Sequence, residues 1–358
     1  EWFLAITLAT KFNMKILQDY SISELKQQLS DLQLPNFRFE QIYLWSVNYV
    51  DFDEMSNLPE SLRESLKKEF ISLPVKIKNS YESKDGTIKF LYELSDGELI
   101  EGVLMQYKYG YTLCVSTQVG CRMGCSFCAS GLDGFFRNLS AGEILGQVLC
   151  INKFLGGTKT ERKITNIVLM GSGEPLDNFD NVIKFIKLVS SKENLNISRR
   201  NISISTCGLA DKIYKLTDEN LGITLTISLH ATTDEQRKKI MKVANAYTLE
   251  ELMASIRYYF EKTKRRVIFE YVMLEDNTSV QDAIRLKSLT RGIACHVNLI
   301  PLNANKECKN KGISKEKQSK FWQALKNEGI SATTRRTLGS DIEGACGQLK
   351  RRVIKENL

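Results

Sequence analysis

From Tyr111 to about residue 300 the chain alternates between two hydrophobic periodicities, and this alternation restricts the fold more than any other feature. β-Branched runs of strand length occupy 112–118, 164–170, 201–206, 222–229, 266–273 and 294–300, and each is followed by apolar residues at helical spacing. Parallel strands must be joined by a long crossover, and helices supply it. The six repeats therefore predict an α/β fold whose parallel sheet curls into a full or partial barrel. Helix starts are marked independently, because Ser140 with Glu143 and Thr248 with Glu251 both fit the reciprocal capping pattern. Barrels of this kind carry chemistry at the C-terminal ends of their strands, so the loops after the strands are where function is sought.

Upstream the pattern changes. Residues 14–75 read as a small helical accessory domain: Ser21-Ile22-Ser23-Glu24-Leu25 starts one helix, and Ser56-Asn57-Leu58-Pro59-Glu60 starts another with Pro in its first turn. Over 76–110 apolar residues alternate, in Thr87-Ile88-Lys89-Phe90-Leu91-Tyr92 and Gly102-Val103-Leu104-Met105-Gln106, with Asp85-Gly86 and Asp96-Gly97 as turns. A few antiparallel strands are thus expected to connect the helical domain to a barrel at 111–358. Residues 1–13 begin with an acid, carry no basic leader and precede Met14. They are expected to be a translated upstream stretch, too short for the ~20 residues of a membrane span and unlike a signal peptide.

With 42% hydrophobic residues in 358, the chain has enough apolar surface for a large core and is not of the disordered class. Nine cysteines, an odd and unevenly spread number, argue against a disulfide scaffold and for a reducing, cytoplasmic setting. The formal charge of +8 is dispersed in short clusters, which permits a polyanionic partner without requiring one. Nucleic acid has to be argued from chemistry.

That chemistry begins after the first barrel strand with Cys121-Arg122-Met123-Gly124-Cys125-Ser126-Phe127-Cys128. Three soft ligands within eight residues suit an iron–sulfur cluster or zinc. Structural zinc takes four ligands, commonly as two separated pairs, and no second C-x2-C is present. Three cysteines on a four-iron cube leave one iron open for a cofactor or substrate. Zinc with a distant fourth ligand such as Cys150 is the alternative reading.

Other strand ends carry polar sets: Gly171-Ser172-Gly173-Glu174-Pro175 after the second strand, Ser205-Thr206-Cys207-Gly208 after the third, Ser228-Leu229-His230 after the fourth and Pro301-Leu302-Asn303 after the sixth. A glycine-rich turn alone is usually only a turn, and a lone histidine is usually structural. Four such sets on one expected rim are a stronger signal.

Cys121, Cys125 and Cys128 followed by Gly173-Glu174-Pro175 resemble the radical S-adenosylmethionine superfamily. Thr112-Leu113-Cys114-Val115-Ser116-Thr117-Gln118-Val119-Gly120-Cys121, Arg137-Asn138-Leu139, Ser228-Leu229-His230, Asn298-Leu299-Ile300-Pro301 and Gly344-Ala345-Cys346-Gly347-Gln348-Leu349 together resemble the Cfr/RlmN family of dual-specificity RNA methyltransferases. The resemblance runs from about Met14 to the C-terminus. It implies a partial (β/α)6 radical S-adenosylmethionine barrel with a small N-terminal helical domain and connecting antiparallel strands. By the same resemblance Cys121, Cys125 and Cys128 hold a 4Fe–4S cluster, while Gly173, Glu174, Ser205, Ser228, Leu229, His230 and Asn303 line the S-adenosyl-L-methionine site. Cys346 is the methyl-carrying cysteine, Cys114 the resolving thiol and Glu101 the proton acceptor.

Adenine ring carbons C2 and C8 are not nucleophiles, so a polar methyl transfer would fail and a radical route is needed. In the family mechanism one cofactor methylates Cys346, a second yields the radical that activates that methyl group, and a Cys114–Cys346 disulfide releases the product. The implied partners are 23S rRNA, tRNA and an external electron donor such as flavodoxin or ferredoxin, with no membrane, and the chain is expected to be a monomer. The run around Val119 favours the C2 type over the C8, antibiotic-resistance type. Rival readings are a non-catalytic, zinc-stabilised RNA-binding protein and a radical enzyme acting on a small molecule. Arg199, Arg200, Arg265, Arg266, Arg335 and Arg336 are the candidate phosphate contacts.

Overall fold

The computed structural model describes residues 14–302, 312–336 and 338–342. The N-terminal part holds α1 (Ile22–Gln28), α2 (Asn36–Val47) and α3 (Glu60–Glu69). Ser21 caps α1 through a reciprocal pair with Glu24, and Pro59 occupies the cap of α3 rather than its first turn. These helices are fastened to the rest of the molecule: Asp19 Oδ1 accepts from the Gly142 N–H at 2.6 Å, and the Tyr49 hydroxyl donates to the Val75 carbonyl at 2.7 Å.

The main sheet has ten strands. In chain order they are β1 (Val75–Glu82), β2 (Ile88–Leu94), β3 (Leu99–Tyr107), β4 (Gly110–Cys114), β5 (Ile164–Leu169), β6 (Ile202–Thr206), β7 (Thr224–Ser228), β8 (Val267–Met273), β9 (Cys295–Pro301) and β10 (Ala332–Thr334). Strand order across the sheet follows chain order, antiparallel from β1 to β4 and parallel from β4 to β10. The helices α4 (Ala141–Phe154), α5 (Phe179–Val189), α6 (Ala210–Asp218), α7 (Asp234–Ile240), α8 (Leu249–Thr263), α9 (Val280–Leu289) and α10 (Lys315–Asn327) fill the crossovers. Two of them, α7 and α8, follow β7. Capping pairs Ser140/Glu143 and Thr248/Glu251 stand where the sequence places them. The architecture is the expected mixed α/β fold with a mostly parallel sheet, whose edge strands among the described residues are β1 and β10.

Three details depart from the expectation. The first parallel strand ends at Cys114 instead of 118, because the Gln147 side chain takes over the ladder bonds of Ser116, accepting from its N–H and donating to its carbonyl at 2.9 Å each. The strands of 76–110 do not merely connect two domains; they extend the barrel sheet through the β3–β4 pairing. Finally, β10 is a seventh parallel strand, too short at three residues to show a periodicity.

After β10 the chain crosses toward the opposite edge of the sheet. Ser83 Oγ and the Lys84 N–H bond the Asp341 carboxylate at 2.5 and 3.2 Å, and Asp85 accepts from the Gly339 N–H at 2.9 Å. Among the described residues no helix is long and apolar enough to cross a membrane.

Candidate active site

The cysteine loop is presented by a small antiparallel hairpin, Gln118–Gly120 against Phe135–Asn138. Gly120 has φ +76°, and a Cβ there would meet the Gly134 carbonyl oxygen at 2.1 Å, so only glycine lets the two arms close. The Ser126 N–H donates to the Ile240 carbonyl at 2.9 Å, tying the loop to the end of α7. Cys121, Cys125 and Cys128 then line one cavity of about 400 Å³, a volume suited to a small-molecule cofactor. Gly173, Glu174, Ser205, Ser228, His230 and Cys114 line the same cavity.

Burial is the leading influence on its ionisable groups. Burial and mutual repulsion push the Cys121 thiol up to about 12 and raise Cys125 as well. Glu174 is buried, which raises its carboxyl, while the N–H groups of Leu176 and Cys207 donate to its two oxygens at 3.0 and 2.7 Å. His230 sits at φ +58° with Nδ1 accepting from the Val272 N–H at 3.0 Å. Burial lowers it to about 3, with the Arg237 charge adding to the effect, so it stays neutral and its proton belongs on Nε2. Phe127, between the second and third cysteines, packs edge-on against the imidazole at 4.8 Å.

Arg237 is wholly buried beneath this wall. Its Nε donates to the Leu229 carbonyl and its Nη2 to the Cys207 carbonyl, while Nη1 has no partner among the described residues. A buried guanidinium with an unused N–H, set near thiols that become anionic on ligation, fits an iron–sulfur group with net negative charge. Among the described residues, no three or more His, Cys, Asp or Glu side chains converge on a single ion-sized point. Cys150, the distant fourth zinc ligand considered above, does not reach the three: it packs on the main core and its sulfur meets the Ile77 backbone.

The opposite wall is built by β3 and β4. Cys114 pairs with Val103 across the ladder and packs with Val103, Met105, Val168, Met170 and Leu338. Glu101 lies two residues before Val103 on the same face of β3, and its carboxylate is 3.3 Å from the Lys89 ammonium of β2. Leu229 turns its side chain into the core, so within Ser228–His230 it is the flanking residues that line the cavity. Asn303 and Cys346 lie outside the described residues.

Three side chains of this region escaped the sequence reading. Lys89 was masked by alternation, which places it on a solvent face that the fold covers. Arg237 follows Thr233 in a highly charged helix start and looks like its exposed neighbours Lys238 and Lys239. Glu270 is a carboxylate inside the otherwise apolar Val267–Met273 strand, and that interruption was a usable signal. It lines the cavity, accepts from Asn298 Nδ2 at 3.1 Å, and keeps its other oxygen unpartnered among the described residues. Of the candidate phosphate contacts, only Arg335 and Arg336 border the cavity. Arg199, Arg200, Arg265 and Arg266 precede β6 and β8, at the strand ends away from the site, where Arg265 donates to the Ile223 carbonyl and Arg266 to Ser331.

Comparison with known proteins adds three findings. Residues 115–286 match the radical SAM superfamily, and residues 16–71 match the ribosomal RNA large subunit methyltransferase N-terminal domain. A probable dual-specificity RNA methyltransferase RlmN of Clostridium botulinum is 50% identical over 346 residues, covering 96% of this chain and 98% of the relative, and one from Clostridium beijerinckii is 49% identical over 345 residues, covering 95% and 96%. The crystal structure of a radical SAM methyltransferase from Sphaerobacter thermophilus superposes with a TM-score of 0.88 at 40% identity, covering 93% of this chain and 98% of that one.

Proposed function

The chain belongs to the RlmN type of dual-specificity RNA methyltransferases within the radical SAM superfamily, and from that premise we propose that it methylates carbon 2 of an adenine in RNA. The proposed targets are an adenosine of the peptidyl-transferase centre of 23S rRNA and an adenosine beside the anticodon of tRNA. Cys121, Cys125 and Cys128 would hold the 4Fe–4S cluster, and Gly173, Glu174, Ser205, Ser228 and His230, with Asn303, would hold S-adenosylmethionine. Bound together, these groups supply the one-electron chemistry that a non-nucleophilic ring carbon requires.

The chain's own residues do the rest in this reading. Cys346 carries the methyl carbon and becomes bonded through it to the base. Glu101 accepts the ring proton. Cys114 attacks the Cys346 sulfur, a disulfide forms and the bond from sulfur to the transferred carbon breaks, freeing the product. Water is kept out by the apolar lining of Val103, Met105 and Leu338 around Cys114. Arg335 and Arg336, at the cavity edge, suit the phosphates flanking the target base.

One observation carries the reading: Cys114 stands in the wall of the cavity that the three loop cysteines also line. A zinc-stabilised binding module has no use for a fourth thiol held apart from the other three. The experiment is mass spectrometry of digested RNA after reaction with the anaerobically purified protein. 2-Methyladenosine is expected; 8-methyladenosine would assign the C8 chemistry instead. Cys114→Ala should accumulate a covalent protein–RNA adduct, and free methylated RNA from that variant would remove the resolving role.

A further inference from the structure

We propose that Arg237 is the built-in counter-charge of the iron–sulfur centre, a positioning residue that makes the cluster easier to reduce. The argument starts from α7. Thr233 caps this helix, and Arg237, one turn in, points inward while Lys238 and Lys239 stay exposed. Its side chain is 0% accessible and joins none of the ion pairs found among the described residues. The nearby acid Asp234 accepts instead from the Leu249 N–H at 2.8 Å.

A fully desolvated cation without a carboxylate is costly, so such a residue has a purpose outside the empty fold. Two carbonyls, of Leu229 and Cys207, orient the guanidinium, and the leftover Nη1 hydrogens have no acceptor among the described residues. The surroundings say what is missing. Cys207, whose carbonyl takes the Nη2 bond, shares an apolar cluster with Ile240 of α7, and Met123, Cys125 and Phe127 of the cysteine loop pack against that cluster. Helix α7 is tied to the cysteine loop through the Ser126 N–H and the Ile240 carbonyl, and the Lys242 stem covers Gly124, so the helix that carries the guanidinium is fastened to the loop that carries the ligands. Adding an electron to a thiolate-ligated cluster adds negative charge in a low-dielectric site, where a fixed cation nearby is felt strongly.

The inference rests on the assignment of the cluster to Cys121, Cys125 and Cys128, and the two fail differently. Iron and sulfide content of Cys121→Ala tests the assignment: a full complement there refutes it, whatever Arg237 does. The counter-charge is tested in reconstituted Arg237→Met and Arg237→Gln by following the reduced cluster's electron paramagnetic resonance against ambient potential. At a fixed potential the reduced-to-oxidised ratio should fall at least tenfold, a 59 mV shift for a one-electron couple. Arg237→Lys, which keeps the charge but loses the fork, should stay near the parent. The cluster-free Arg237→Met protein should melt no lower than the cluster-free parent, since it sheds an unpaired buried charge. An unchanged potential in the neutral variants, a Lys variant that behaves like them, or two neutral variants that fail to fold without cluster would each overturn the proposal.

Discussion

The Lys89 ammonium and the Glu101 carboxylate face each other at 3.3 Å, with side chains 0% and 3% accessible. They come from adjacent antiparallel strands, and the diagonal register of β2 and β3 brings them to one face. Removing one partner strands the other charge in a dry site, which costs about 3–5 kcal/mol. Lys89→Met should therefore lose roughly that much stability in urea titration, while Lys89→Met/Glu101→Leu should recover most of it. In the proposed reaction Lys89→Met should also slow release of the ring proton, read as loss of deuterium from a 2-deuterated adenine. A single variant as stable as the parent would refute the buried pairing.

Gly173 makes a second test, because two constraints coincide there. Its φ is +105°, and a Cβ would come within 2.6 Å of the Gln118 Cβ. Gln118 cannot withdraw easily, since its Oε1 accepts from the Glu174 N–H at 2.9 Å and its Nε2 donates to Asp177 at 2.7 Å. Gly173→Ala should cost about 1–3 kcal/mol through backbone strain and displace Glu174. Calorimetric titration should show at least tenfold weaker binding of S-adenosylmethionine, with iron content retained.

His230 predicts a pH dependence of stability. The folded protein protonates this ring only near pH 3, whereas the unfolded chain does so near 6.5. Between those values the unfolded state binds the extra proton, so stability falls as the pH drops through that window, by up to about 1.4 kcal/mol per pH unit. Asn tolerates the positive φ and offers an oxygen to the Val272 N–H. His230→Asn should flatten the slope of unfolding free energy between pH 6.5 and 4.5. An unaltered slope would mean that other groups carry it.

The clasp between the β1–β2 turn and residues 339–341 offers another. Asp85 is held down to about 2, chiefly by the Gly339 N–H, and Asp341 is lowered by Ser83. Both lowered carboxylates stabilise the clasp above the ordinary range near 3.8; the contribution of Asp85 disappears as the pH falls toward 2, and that of Asp341 is likewise lost on acidification. Asp85→Asn/Asp341→Asn should speed amide hydrogen exchange around Gly339 several-fold at neutral pH and leave the strands β5 to β9 protected. Slow exchange in the double variant would show that the segment is held elsewhere.

Sequence alone determined the βα alternation, the capped helix starts and the spacing of Cys121, Cys125 and Cys128, because each is a local pattern with a local physical cause: period, side-chain capping or ligand proximity. Strand-end position also pointed to Gly173, Glu174, Ser205 and His230 before any coordinates did. Tertiary structure decided what depends on environment. Lys89 reads as a surface residue until both faces of β2 are covered, and Arg237 reads as one of three exposed cations until α7 turns it under Cys207. Leu229 shares a motif with His230 yet faces the core. Burial and pairing are properties of what packs around a residue, and those neighbours come from strands and helices far along the chain.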